Sequence, residues 1–301
     1  MLKGKSDMNP RYPIYIVSKS RWDTRMTSKA LEMMGVPYRI VVEQQQYKQY
    51  TDVISKKKVL VLDPRYQDEY DTCDDLGDSK SKGPGAARNF AWDHSISIGA
   101  KSHWVMDDNI RRFYRFNRGL RIPVDTGSMF RACEDFVDRY ENVAISGPQY
   151  YMFISNFHAL PAFTLNTRIY SCNLIRNDIP FRWRGRYNED TDLSLQALKS
   201  NVPGKDYKWC TVQFNVLLQC KMPTQTVKGG CDEVFYSQEG TMPKSVILTE
   251  MHPDVARLTW KFHRWHHEVN YRRFRYNRLV LKSGVVPQSG VNDYGMMLRD
   301  V

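Results

Sequence analysis

From Tyr12 onward, short apolar runs alternate with amphipathic ones. Ile14, Tyr15, Ile16 and Val17 form a run of strand length, and residues 26–34 have helical spacing that stops at Gly35. A strand is predicted over 38–42, a second helix starting in the Gln-rich segment 43–50, and a β-branched buried strand over 58–62. Strands alternating with helices predict βαβ units and a parallel sheet, so the fold class is α/β. Residues 63–83 are acidic, Ser-rich and Lys-rich without periodicity, and read as a loop closed by Pro84 and Gly85. The following helix places Ala87, Phe90, Ala91, His94 and Ile98 on one side and ends at Gly99. A short strand over 103–106 then runs straight into Asp107, Asp108 and Asn109.

Further along, a basic aromatic stretch spans 111–118, a helix is predicted over 128–140, and strand-like segments cover 143–146, 150–154 and 169–175. Residues 192–198 read as a helix and 209–218 as a strand. A loop holds Gly229 and Gly230, and an aromatic, basic, His-containing helix is expected over 254–276. There is no internal repeat. The 301 residues are 42% hydrophobic and 26% charged, which excludes wholesale disorder and suits one elaborated domain. The six cysteines include no CxxC pair, which argues against a zinc ribbon or a thioredoxin-type motif. No run approaches the roughly 18 apolar residues of a membrane span, and Met1 leads into no apolar signal core, so no membrane partner and a cytoplasmic site are expected. Forty-four Lys and Arg against 33 Asp and Glu give a net charge of +11. Such a surface attracts polyanions, whether nucleic acid or the phosphates of a smaller ligand.

Ligands of open parallel sheets bind beyond the carboxyl ends of the strands, where Asp107, Asp108 and Asn109 fall. Carboxylates there suit Mg2+ or Mn2+ shared with a diphosphate. An Asx-type turn that caps backbone amides is an equally good account of three such residues.

The residues 12–21, 83–89, 104–110 and 188–193, taken in order, resemble the TET-associated glycosyltransferases, a family with a GT-A type fold and many bacteriophage members. The resemblance covers most of 12–200 and continues over 252–273. It implies one domain over 1–278, with a nucleotide-sugar-binding half at 12–110, an acceptor-binding and catalytic half at 111–278, and a tail at 279–301. It also implies a UDP-sugar donor, UDP-glucose or UDP-GlcNAc, held by Val17, Ser18, Arg21, Glu43, Arg88 and Asn89. Asp107, Asp108 and Asn109 correspond to the family's DxD element, bridging Mn2+ or Mg2+, ribose and diphosphate. Ending in Asn, this one departs from a strict DxD. The acceptor it implies is DNA containing 5-hydroxymethylcytosine.

Glycosyl transfer needs a carboxylate to take the acceptor's proton, and Glu189 and Asp190 stand at a helix start. The helix macrodipole alone accounts for acids there, with Asn188 as the cap. The resemblance favours Asp190 as the base, in an inverting displacement. His263, His266 and His267 are expected on one helical face, and His266 or His267 is a third metal ligand by analogy; histidines on an aromatic helix more often pack. Basic residues interleaved with aromatics, at Arg111, Arg112, Tyr114, Arg115 and Arg118 and at Arg182, Trp183, Arg184 and Arg186, suit DNA phosphates and a stacked base. Two other functions fit the same residues: a protein Ser/Thr glycosyltransferase, and a non-catalytic DNA-binding module.

Overall fold

The structure, a computed structural model, describes residues 8–77, 81–155, 160–223 and 242–286. Four strands, β1 (Ile14–Val17), β2 (Arg39–Val42), β3 (Val59–Val61) and β4 (Ser102–Asp107), run parallel in the order β3-β2-β1-β4. Beyond β4 the sheet becomes mixed. It continues through β9 (Cys172–Arg176), β7 (Val143–Tyr150), β10 (Cys210–Lys221), β5 (Ile110–Asn117) and β6 (Leu120–Pro123), with β8 (Phe163–Leu165) paired to β10. β9 is antiparallel to both β4 and β7. The basic aromatic stretch 111–118 is therefore a strand, β5, forming a hairpin with β6.

Successive residues of a strand face opposite sides, and β1 buries all four of its own. Ile14 and Ile16 pack with Leu31 of α1 (Met26–Met34) and Phe130 of α5 (Ser128–Val137). Tyr15 and Val17 pack with Trp92 of α4 (Gly85–Ser97) and Leu193 of α6 (Glu189–Lys199). Helices thus cover both faces, as a parallel sheet requires. Gly35 ends α1 as expected, at φ +68°, its amide donating to the Leu31 and Glu32 carbonyls. α2 (Tyr47–Val53) follows β2, and a short helix, α3 (Pro64–Asp68), interrupts the predicted loop, capped by the Asp63 carboxylate accepting from the Arg65 amide.

Two expectations need correction. The buried side of α4 is Gly85, Ala86, Arg88, Ala91, Trp92 and Ser95; Ile98 is half exposed. The apolar spacing misled because the helix buries a charged residue, Arg88. The helix expected over 254–276 is a hairpin, β11 (Ala256–Lys261) and β12 (Arg264–Val269), which follows α7 (Met242–Met251). Its sequence alternates with period two, Ala256, Leu258 and Trp260 against Arg257, Thr259 and Lys261, and Phe262 and His263 turn the chain with positive φ. Gly229 and Gly230 lie outside the described residues. Among the described residues no helix is long and apolar enough to cross a membrane.

Candidate active site

The carboxyl end of β4 meets the start of α6 and the end of β10 around one guanidinium. Arg88, buried on α4, donates from Nη1 to Glu189 Oε1 at 2.9 Å and to Asp190 Oδ1 at 2.8 Å, and from Nη2 to Asp107 Oδ1 at 2.6 Å. Its plane lies 4.5 Å over the Trp183 ring, which fixes it from one side. Lys221 Nζ, at the end of β10, donates to Asp107 Oδ2 at 2.6 Å and to Ser171 Oγ at 2.8 Å. The Ser171 amide and the Asn173 side chain hold Asp190 at 3.2 and 3.3 Å. Tyr150 shares a 2.7 Å hydroxyl contact with Ser171.

Three carboxylates face two cations, leaving one negative charge in excess when all are ionised. Their protonation follows from who is nearest. Burial alone would raise the Asp107 carboxyl, but Lys221 and Arg88 outweigh it and hold it below the usual carboxylate range. Burial lifts Glu189 to about 7, against the pull of Arg88 and with the help of Asp190. Burial likewise raises Asp190, opposed by Arg88. Burial would lower Lys221, yet Asp107 reverses this and keeps it firmly protonated. Glu189 and Asp190 titrate as a pair, with a proton available near neutral pH.

Asp107, Asp108 and Asn109 do not point to one place. Asp108 is buried behind Asp107, where Ser18 Oγ donates to its Oδ2 at 2.7 Å and Arg21 Nη1 to its Oδ1. Tyr50 OH reaches Ser18 at 2.5 Å, closing that network. Asn109 Nδ2 donates to the Met222 carbonyl at 2.8 Å, which ties β5 to the end of β10. Asp107 is the most exposed of the three, its side chain at 18%, with both oxygens already engaged. His266 and His267 are neighbours on a strand and so face opposite sides of the hairpin; His266 accepts from Arg264 at 3.1 Å. Among the described residues no three His, Cys, Asp or Glu side chains converge on a point that could hold an ion. The side chains of the ligand set implied by the resemblance, Asp107, Asp108, Asn109 and His266 or His267, thus do not converge, and Asp107 is the one among them whose carboxylate lies at the partly exposed strand end.

Other expected residues are placed as follows. Val17 pairs with Asp107 across β1 and β4, so the two strand ends share one rim. Glu43 follows β2 and accepts from Lys19 at 2.8 Å and Gln67 at 3.1 Å. Asn89 spends both ends of its amide on the Trp183 backbone, at 2.9 and 3.0 Å, and so braces the site rather than facing a diphosphate. Trp183 and Arg186 are each only 2% exposed, which removes them from any DNA surface. Arg186 instead forks onto Asp74 at 2.8 and 3.0 Å. Arg184 holds Asp192 at 3.2 Å, and Arg182 lies 4.6 Å over Trp92. Arg111 and Arg118 are exposed, Arg112 pairs with Asp125 at 3.1 Å, Arg115 is half-buried, and Tyr114 packs 4.8 Å from Tyr151. Asn188 does not cap α6; its side chain donates to the Lys244 carbonyl at 2.6 Å.

Lys221, Ser171, Asn173 and Tyr150 escaped the sequence reading. Lys221 lies 114 residues from Asp107, beyond the predicted end of its strand, and only the sheet order brings the two together.

An open α/β sheet with a carboxylate at the end of a central strand, and an acidic helix start across the crevice, is the architecture of a GT-A type glycosyltransferase. The chain belongs to the TET-associated glycosyltransferase family, whose model matches residues 12–230. No curated protein matches it.

Proposed function

We propose that this chain transfers a hexose from a UDP-sugar to the hydroxyl of 5-hydroxymethylcytosine in DNA, with inversion at the anomeric carbon. The supporting observation is the cluster around Arg88, which sets a carboxylate pair of raised pKa beside the buried Arg88 and the partly exposed Lys221. Family membership supplies glycosyl transfer as the chemistry, and the +11 charge favours a polyanionic acceptor.

Glu189 and Asp190 supply the proton acceptor. Asp190 is tied by Arg88, Asn173 and the Ser171 amide, whereas Glu189 takes one side-chain hydrogen bond and titrates at about 7. Burial raises both members of the pair toward the operating pH, where a base works best, and the looser hold on Glu189 favours it as the acceptor of the hydroxyl proton with Asp190 as its orienting partner. The carbon–oxygen bond to the sugar forms as the bond to the diphosphate breaks, and the charge left on UDP is met by Lys221, the more exposed of the two cations, while the buried Arg88 holds the three carboxylates behind it. Both cations are held in place before the donor arrives, so little reorganisation is left for the reaction itself.

The test is mass spectrometry of hydroxymethylated DNA after incubation with UDP-glucose and with UDP-GlcNAc. A single hexosyl or N-acetylhexosaminyl increment is expected with wild type and none with Glu189→Gln. Unmodified DNA with every donor, alongside transfer to a Ser/Thr peptide, would replace DNA by protein as the acceptor.

A further inference from the structure

We propose that the β11–β12 hairpin is a docking surface for a nucleic-acid strand, which it holds by stacking bases on Trp260 and Trp265. This extends the reading of DNA as acceptor, but stands on its own observations. The register places Leu258, Trp260, Trp265 and His267 on one face of the hairpin and Arg257, Lys261, Arg264 and Glu268 on the other. Trp260 and Trp265 are directly opposed, their rings 5.3 Å apart at 75°, and remain 58% and 36% exposed. Phe262 at the turn is 84% exposed, its ring 6.0 Å from His266 on the opposite face. Large aromatics left in water together mark a contact surface rather than a core.

Charge selects the occupant. Three cations stand against one carboxylate on the opposite face, and Glu268 is shared between Arg257 at 3.0 Å and Lys261 at 3.7 Å. The ribbon is only two strands wide, about 4.8 Å between strands, so the long stems of Lys261 and Arg264, which flank Trp260 and Trp265 in the register, can reach round its edge to the phosphates of a strand stacked on the aromatic face. A second copy of the chain would bring the same positive hairpin against itself, since a two-fold contact pairs like with like.

The hairpin is placed to serve the site. Val255 at its base packs on Leu195 and Leu198 of α6, the helix that begins with Glu189 and Asp190. At about 1.5 Å per residue that contact lies roughly 10 Å along α6 from the carboxylate pair. Trp260 lies five residues further along β11, up to about 17 Å at roughly 3.3 Å per residue, so the grip falls outside the reacting site, on the strand that carries the acceptor base.

The experiment is fluorescence anisotropy with a labelled single-stranded oligonucleotide lacking any modified base, between about 50 and 200 mM salt. A Trp260→Ser, Trp265→Ser double variant should weaken binding about tenfold or more at every salt concentration, with the salt slope unchanged. A Lys261→Glu, Arg264→Glu variant should flatten that slope by about 1.4, the share of two phosphate contacts. All four side chains lie on the hairpin's outer part, and melting curves matching wild type confirm an intact fold. Oligonucleotide affinity within twofold of wild type in both variants overturns the proposal. So does unchanged oligonucleotide affinity combined with lost self-association in sedimentation, or with lost binding to phosphatidylserine vesicles. No donor enters the assay, so a protein that glycosylates peptides yet binds oligonucleotides through the hairpin would sink the acceptor reading and leave this one standing.

Discussion

Replacing Glu189 with Gln keeps the shape and the hydrogen bond to Arg88 but removes a titrating group, and its effect on stability should depend on pH. In the folded chain the carboxyl titrates at about 7, against an ordinary value of 4.5. A folded-state pKa raised above the unfolded one means that the native state holds its proton more tightly. The stability this confers is complete below pH ~4.5 and is lost as the pH rises through 7. A shift of that size corresponds to about 3 kcal/mol. Urea unfolding followed by tryptophan fluorescence, from pH ~5 to ~8.5, should show Glu189→Gln gaining on wild type by most of that amount. The same variant should lose sugar transfer, so that it becomes more stable and less active, the opposition expected where a site holds a group against its preference. Parallel stability curves, within about 0.5 kcal/mol, would refute the burial argument; transfer at the wild-type rate would refute the role.

Lys221→Met leaves Asp107 with Arg88 as its remaining ionic partner and, with the Lys221 and Asp107 side chains 23% and 18% exposed, should cost about 1–3 kcal/mol at neutral pH, less than breaking a fully buried pair. Because the Asp107 pKa is depressed, that difference should shrink as the pH falls below ~4, which unfolding curves can follow. Transfer should fall by about 100-fold or more, with Lys221→Arg recovering part of it. Since Lys221 and Arg88 already occupy both Asp107 oxygens, donor affinity measured by calorimetry should stay within about twofold when EDTA is added; a tenfold loss would show that Asp107 exchanges Lys221 for an ion. Arg186→Met leaves the buried Asp74 carboxylate without its fork and should lower stability by about 3 kcal/mol or more in thermal melts, which a surface DNA contact would not do. Gly147→Ala would set a Cβ 2.2 Å from the Cys172 carbonyl of β9 and should cost about 1–3 kcal/mol by the same measurement.

What the sequence shows well is what short-range periodicity encodes. β1 to β4, α1 and its Gly35 stop all follow from runs and spacings within a dozen residues. The acidic helix start was legible because Glu189 and Asp190 are adjacent, and the strand-end position of Asp107 because β4 ends there. The hairpin was misread by weighing the His spacing of three and four above the period-two alternation of Leu258, Thr259, Trp260 and Lys261. Trp183 and Arg186 were misread as surface because basic residues are usually solvated, and nothing local says that Asp74, 112 residues away, will receive Arg186. The partners of Asp107 were illegible for the same reason. A strand order that inserts β9 and β7 between β4 and β10 is a global property, and it alone sets Lys221 beside β4.

The cluster around Arg88 also shows why this site holds its cations with acids. A guanidinium buried without partners, with an ammonium only partly in water beside it, would be expelled or neutralised, so the three carboxylates are the condition for keeping these two positive charges together. The stoichiometry leaves one carboxylate more than the cations can satisfy. The surplus falls on Glu189 because Asp107 has two cationic neighbours and Asp190 has Ser171 and Asn173 as well as Arg88. Positioning the positive charge and raising the pKa of the base are thus one electrostatic arrangement. Neutralising Asp190 should then weaken the case for protonating Glu189, drawing its pKa down from about 7 even though the proton acceptor itself is untouched. In Asp190→Asn the acid limb of the activity–pH profile should move to lower pH; an unmoved limb would mean that burial alone sets Glu189 and that the pair is not coupled.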